Sequence, residues 1–351
     1  MQEDSGEKAV FAWKGTKMTI LLTYCTLVAI LLVGSMCLEI KRKPMPEGTE
    51  FMDKQHTEVI KGIAIMCVVL SHVGNANGTR LFAPGGGIGV ALFLICSGYG
   101  LCESARKGFN LGKFWKRRII NVFLPYALIR FIAFVVSPSD ATTIVELLLD
   151  VTCIRPRYVL GWYLDYLLFC YVVFSVYQLV RRRFGNKAMV LMVAVAVISF
   201  FVSPTELQAE QSMSFLTGIL LSEYKDSAIL SRLKSRPCGV TEAAFLVGAA
   251  AFVLKQLRIL EFSYWIYLLQ MIYKFGWAVM ILTAIWTLMK RFSLKPAAFI
   301  GKYSYEIYLT HGYLFALMHS IAMIPLFIVC VGLASVAVHC GINYLRRIIS
   351  S

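Results

Sequence analysis

Residues 56–75 read HTEVIKGIAIMCVVLSHVGN. The block from Ile63 to Leu70 is wholly apolar. With its flanks the run 57–74 approaches the roughly 20 residues a helix needs to cross the hydrocarbon layer. Two basic groups lie within it, Lys61 and His72, eleven residues apart. That spacing is about 16 Å along a helix, and eleven steps of about 100° end within about 20° of three full turns, so both side chains point the same way. An ionisable group inside a span is expensive and marks a candidate site. Snorkelling explains a lone lysine near a helix end, and a lone histidine can cap at the interface. A shared face favours function over that coincidence.

The same texture extends outward from this helix. Apolar runs lie at 17–38, 57–74, 87–102, 119–137, 158–180, 188–203, 213–224, 239–254, 264–289, 297–318 and 321–345. The chain has 351 residues, 58% hydrophobic and 16% charged, against about 45–50% and about 25% in a soluble domain. That excludes a water-soluble enzyme, a disordered chain and a disulfide scaffold. The runs lack the alternation of barrel strands, and backbone groups in lipid need internal partners. The expected fold is therefore an all-α polytopic membrane protein of about eleven transmembrane helices. The 213–224 run is short, and 264–289 is long enough to tilt. The 17–38 run lacks a clear small-x-small cleavage site and is read as a helix rather than a removed signal peptide.

The net charge is +15. No nucleic-acid-binding motif accompanies it, so the surplus is read as topology. Twenty-three Lys and Arg residues fall on one alternating set of connections and eight on the other. By the positive-inside rule the N-terminus is expected outside and the C-terminus in the cytoplasm, in a multi-pass plasma-membrane protein. The ten cysteines show no metal-ligand spacing and are read as small buried hydrophobes, with no metal site and no disulfide framework. Without a repeat of fixed period, three parts are expected: an N-terminal tail, extra helix and basic connection over 1–54, a membrane domain over 55–345, and a cytoplasmic tail over 346–351.

Further polar groups lie within or beside the spans. In APGGGIGVALFLICSGYGL (83–101), Gly85, Gly86 and Gly87 read as a flexible outer loop, and Ser97-Gly98-Tyr99-Gly100 as a place of close helix contact or a ligand cavity. In KFWKRRIINVFLPYAL (113–128), Lys113, Lys116, Arg117 and Arg118 surround two aromatics at a helix start, a composition suited to a phosphate group. Pro125 is expected to kink the helix. GWYLDYLLFCYVVF (161–174) places Asp165 in a span, either as an interhelical partner for Arg130 or Lys274 or as a catalytic group. YEIYLTHG (305–312) places Glu306 and His311 five residues apart, not neatly on one face. His319 and His339 read as interfacial and packed, without a role.

Four blocks in order resemble the integral membrane acyltransferases of acyltransferase family 3: IKGIAIMCVVLSHVGN (60–75), ALFLICSGYGL (91–101), FWKRRIINVFLPYAL (114–128) and IGKYSYEIYLTHGYLF (300–315). The resemblance spans about residues 55–345. It implies a ten-helix bundle preceded here by one extra helix, in a stand-alone member without a soluble esterase-like domain. It also implies transfer of an acyl group from acetyl-CoA or another acyl-CoA to a hydroxyl of an envelope carbohydrate or related acceptor. His72 would be the general base. Lys61 stands where the family carries arginine, keeping the charge but losing the planar fork that grips phosphate by two bonds. Lys61, Lys116, Arg117, Arg118, Ser97, Tyr99, Trp162, Tyr305 and His311 are the expected donor- and acceptor-binding residues, with Asp165 and Glu306 supporting. A covalent acyl-enzyme on Ser71 or Ser97 is the less favoured route. Acyl-CoA is a substrate, so no resident cofactor is expected. The expected partners are acyl-CoA, the carbohydrate or polymer acceptor and membrane lipids, without nucleic acid. A dimer is one open oligomeric state. The competing class is a transporter or flippase with Lys61, Asp165 and Glu306 along a path, which inverted internal repeats would favour.

Overall fold

The computed structural model describes residues 50–136, 143–153, 161–257, 262–318 and 320–350. The expected helix at 17–38, Arg155, Arg157, Arg258 and His319 lie outside the described residues. Within them the chain is α-helical and contains no strand. The helices are α1 (Lys54–Ala76), α2 (Ala83–Arg106), α3 (Leu111–Arg118), α4 (Leu124–Val136), α5 (Ile144–Val151), α6 (Trp162–Phe184), α7 (Met189–Val202), α8 (Glu206–Ala209), α9 (Ser214–Glu223), α10 (Ala228–Ser235), α11 (Pro237–Leu257), α12 (Ser263–Met289), α13 (Lys295–Lys302), α14 (Ser304–Thr310) and α15 (Ile324–Ser350). Seven stretches among the described residues are long and apolar enough to cross a membrane.

Local chemistry sets several boundaries. The Asp53 carboxylate accepts from His56 N–H at 2.7 Å and starts α1, and Asn110 Oδ1 accepts from Lys113 N–H at 2.9 Å to start α3. Gly185, at φ +58°, ends α6 before a short 3₁₀ turn leads into α7. Between α3 and α4 a π turn spans Ile119–Phe123, where Leu124 N–H reaches back to Ile119. Pro125 follows at once and donates nothing to the ladder, so the irregularity expected at this proline takes the form of a π turn.

Two apolar runs differ from single spanning helices. The 213–224 run forms only the ten residues of α9. The 297–318 run is broken into α13, α14 and a 3₁₀ turn at Tyr313–Leu317, with interruptions at Tyr303 and at His311-Gly312. The triple glycine is also helical rather than a loop, because it lies in the first turns of α2. A β-carbon on Gly86 would come within 2.9 Å of Ser71 Oγ, and one on Gly87 within 2.6 Å of the Lys274 side chain. These glycines serve close packing.

The bundle is built on α1 and α2, which pack along each other, with α9 against α2, α13 against α1, and α11 against α12. At the α1–α13 crossing a β-carbon on Gly62 would overlap the Ala297 carbonyl, and one on Gly301 would overlap that of Glu58. Only glycine permits this approach, and it brings Lys61 and Lys302 to one site. The basic connections converge at one end. There Arg106 donates to the Ser222 carbonyl, Arg181 pairs with Glu223, and Lys225 meets Glu103 at 3.0 Å.

The buried ions pair differently from the sequence expectation. Arg130 binds Asp150, Lys274 binds Glu210, and Asp165 accepts a 3.1 Å bond from Gln208. Asp165 is therefore the partner of neither cation. The short helix α5 and the residue that follows α8 carry the acidic groups to these cations, and an unpaired buried charge would cost several kcal/mol. Such tertiary placement has no local periodicity.

Candidate active site

A cavity of about 430 Å³ lies between α1, α2, the α3–α4 π turn, α6, α13–α14 and α15. Regular spacing explains its wall. Phe93, Ser97, Gly100, Leu101 and Ser104 follow the helical repeat on α2, Tyr163, Leu167 and Tyr171 follow it on α6, and His339 and Arg346 lie seven residues apart on α15.

Four cations line this space, Lys61, Arg118, Lys302 and Arg346, against one carboxylate, Glu306. Glu306 is engaged by His339, whose Nδ1 lies 2.7 Å from Oε1. The Arg118 guanidinium sits 5.4 Å from the centre of the Tyr171 ring and 5.6 Å from that of Phe114. Both distances are within the range of a cation–π attraction. The Nε atoms of both Arg118 and Arg346 are buried without a hydrogen-bond partner among the described residues. A buried N–H left unmatched is costly, and two of them on guanidinium groups at a positively charged cavity fit an anion with several acceptor oxygens. Tyr305 donates to the Val122 carbonyl in the π turn at 2.6 Å, tying α14 to that wall.

Aromatic rings form part of the cavity wall. Tyr163 and Tyr308 meet edge to face with centroids 5.2 Å apart, and Tyr305 stacks near Tyr308 at 6.4 Å. Tyr308 in turn lies 6.1 Å from His311, whose ring is 5.5 Å from that of His72. Phe315 packs against both imidazoles, 6.1 Å from His72 and 5.7 Å from His311. His311 is fully buried, and its Nδ1 lies 2.9 Å from the Ile307 carbonyl. A carbonyl only accepts, which assigns the proton to Nδ1. The buried Nε2 has no partner among the described residues, and in that tautomer it carries a lone pair.

Of the residues singled out in the sequence, Lys61, Ser97, Arg118, Tyr305 and Glu306 line the cavity. His72 and His311 form the pair beyond Tyr308. The other five lie elsewhere. Lys116 and Arg117 are exposed while Arg118 turns inward, because consecutive helical residues diverge by about 100°. Tyr99, two residues from Ser97, packs on the opposite side of α2 among Val59, Ile60 and Leu282. Trp162 stands in the first turn of α6, edge-on to Tyr163 and outside the wall. Asp165 is held by Gln208 away from the cavity. Sequence reading missed Lys302, His339 and Arg346. The seven-residue interval between His339 and Arg346 was a usable signal, but α15 continues to Ser350 where a tail was expected.

Apolar helices long enough to span a membrane, around a cation-lined cavity with an imidazole pair nearby, define a multi-pass membrane protein. The family model described as an acyltransferase domain matches residues 57–344, and the chain belongs to that family of membrane acyltransferases. No curated protein and no solved structure matches the chain.

Proposed function

We propose that the protein transfers an acyl group, acetyl in the first instance, from cytoplasmic acyl-CoA to a hydroxyl of a cell-envelope carbohydrate or related acceptor, in the plasma membrane with its C-terminus inside. The observation that carries this reading is the cavity lined by four cations, Lys61, Arg118, Lys302 and Arg346, against the single carboxylate of Glu306 among the described residues. The donor's phosphates bind Arg118, Arg346, Lys302 and Lys61. Lys61 acts as a point charge in place of a fork. The pantetheine arm extends past Tyr163 and Tyr308, whose rings turn aside to admit it.

His72 removes the acceptor's hydroxyl proton as the oxygen attacks the thioester carbonyl. The tetrahedral intermediate collapses by breaking the C–S bond, and the thiolate leaves with the proton held by the imidazole. His311, its own proton committed to the Ile307 carbonyl, offers a lone pair that supports the protonated His72.

Acetyl-CoA is expected to raise the melting temperature of the detergent-purified protein and to acylate acceptor glycan in proteoliposomes. His72→Ala should keep the donor shift and lose transfer. A protein stabilised by sugar lipid but indifferent to acyl-CoA would be a transporter. Mass spectrometry of envelope glycans, with and without the gene, would identify the acceptor.

A further inference from the structure

Arg130 heads the fully buried side chains by volume, at 2% exposure, and lies in the otherwise apolar α4. Its Nε donates to Asp150, a fully buried carboxylate on α5 that also accepts from the Tyr126 hydroxyl at 2.8 Å. On its other side Arg130 Nη1 donates to the Tyr313 hydroxyl at 2.7 Å, with the guanidinium carbon 6.0 Å from that ring's centre. A buried ion pair is weak evidence for stability, because desolvation offsets the attraction. Its value lies in fixing a geometry, and here the fixed group is Tyr313.

Tyr313 opens the 3₁₀ turn that follows His311-Gly312. The same turn carries Phe315, packed against both imidazoles. His311 keeps its N–H bond to the Ile307 carbonyl at the C-terminal end of α14, its ring faces His72, and the Tyr313 turn follows directly. A guanidinium seated on a buried carboxylate and bonded to Tyr313 holds one end of that turn.

We propose that Arg130, seated on Asp150, is a positioning residue that acts through the Tyr313 hydroxyl to hold the ring-to-ring geometry of His72 and His311. It rests on the reading that His72 takes the acceptor proton. Tyr313→Phe removes one hydroxyl and keeps the ring. Arg130→Lys keeps the charge but loses the fork that reaches both partners.

In reconstituted protein both variants should lower kcat about ten-fold or more and displace the pH–rate profile. The donor KM and the melting shift produced by acetyl-CoA should stay unchanged. His72→Ala is measured alongside. If it is inactive while Tyr313→Phe keeps wild-type kcat and pH profile, the positioning role is overturned and the base assignment stands. If activity per folded molecule is unchanged in both positioning variants while their yield falls, the network is structural and the proposal fails. If His72→Ala still transfers, both readings fall.

Discussion

The rings of His72 and His311 lie 5.5 Å apart and tilted by 40°, although 239 positions separate the two residues in the chain. His311 stands at the C-terminal end of α14, where the helix gives way to the 3₁₀ turn at Tyr313–Leu317. Lys61, on the same helix face as His72, shares the cavity with Lys302. One face of α1 thus addresses the 302–311 segment twice, through a cation at one level and an imidazole at the other.

His72→Ala should reduce acyl transfer by about 10²–10⁴-fold, the usual contribution of a general base, in a protein that remains folded and inserted. His311→Ala should lose less, since it removes support from the base rather than the base itself. Steady-state transfer in proteoliposomes, normalised to folded protein, checks both. Equal rates for wild type and His72→Ala would exclude the assignment.

Arg118→Ala and Arg346→Ala should each weaken donor binding by about ten- to a hundred-fold, the scale of a hydrogen bond to a charged group, with kcat nearly unchanged once donor saturates. Arg117→Ala, one residue away and exposed, should change donor KM little. Isothermal titration with acetyl-CoA separates the three. Equal effects of Arg117→Ala and Arg118→Ala would place the phosphates outside the cavity.

Lys61→Arg should lower the donor KM several-fold, because a planar fork replaces a point charge on the same helix face. Lys61→Met should raise it. Donor KM at fixed acceptor is the measurement, and an increase for Lys61→Arg would show that this position does not meet phosphate.

Ser97→Ala should retain transfer, and protein incubated with acetyl-CoA alone should carry no added acetyl mass on Ser97. Intact-protein mass spectrometry reads this directly. An acetylated Ser97 that is released by acceptor would replace direct attack with a two-step route.

Gly301→Val should abolish the folded state, since a β-carbon there would overlap the Glu58 carbonyl across the α1–α13 crossing. Fluorescence-detected size-exclusion chromatography of the detergent extract should show aggregate in place of a monodisperse peak. A monodisperse, active Gly301→Val would mean that the two helices can separate without harm.

The helical class and the position of each described apolar run were legible in the sequence, because hydrocarbon permits a backbone few solutions and composition reveals them directly. So was the common face of Lys61 and His72, a matter of helical arithmetic. The breaks at Tyr303 and His311 were not legible: the 297–318 run reads as one span despite Lys302, Glu306 and His311, and the turn that follows its second interruption is bonded through Tyr313 to Arg130 on another helix. Nor were the partners of buried charge. Asp150 rather than Asp165 meets Arg130, because pairing follows three-dimensional proximity in a medium that punishes a lone ion. Arg346 and His339 belong to the cavity for the same reason. Local pattern determined which segments enter the membrane and which way their faces turn; which faces meet was decided by the packing of the assembled bundle.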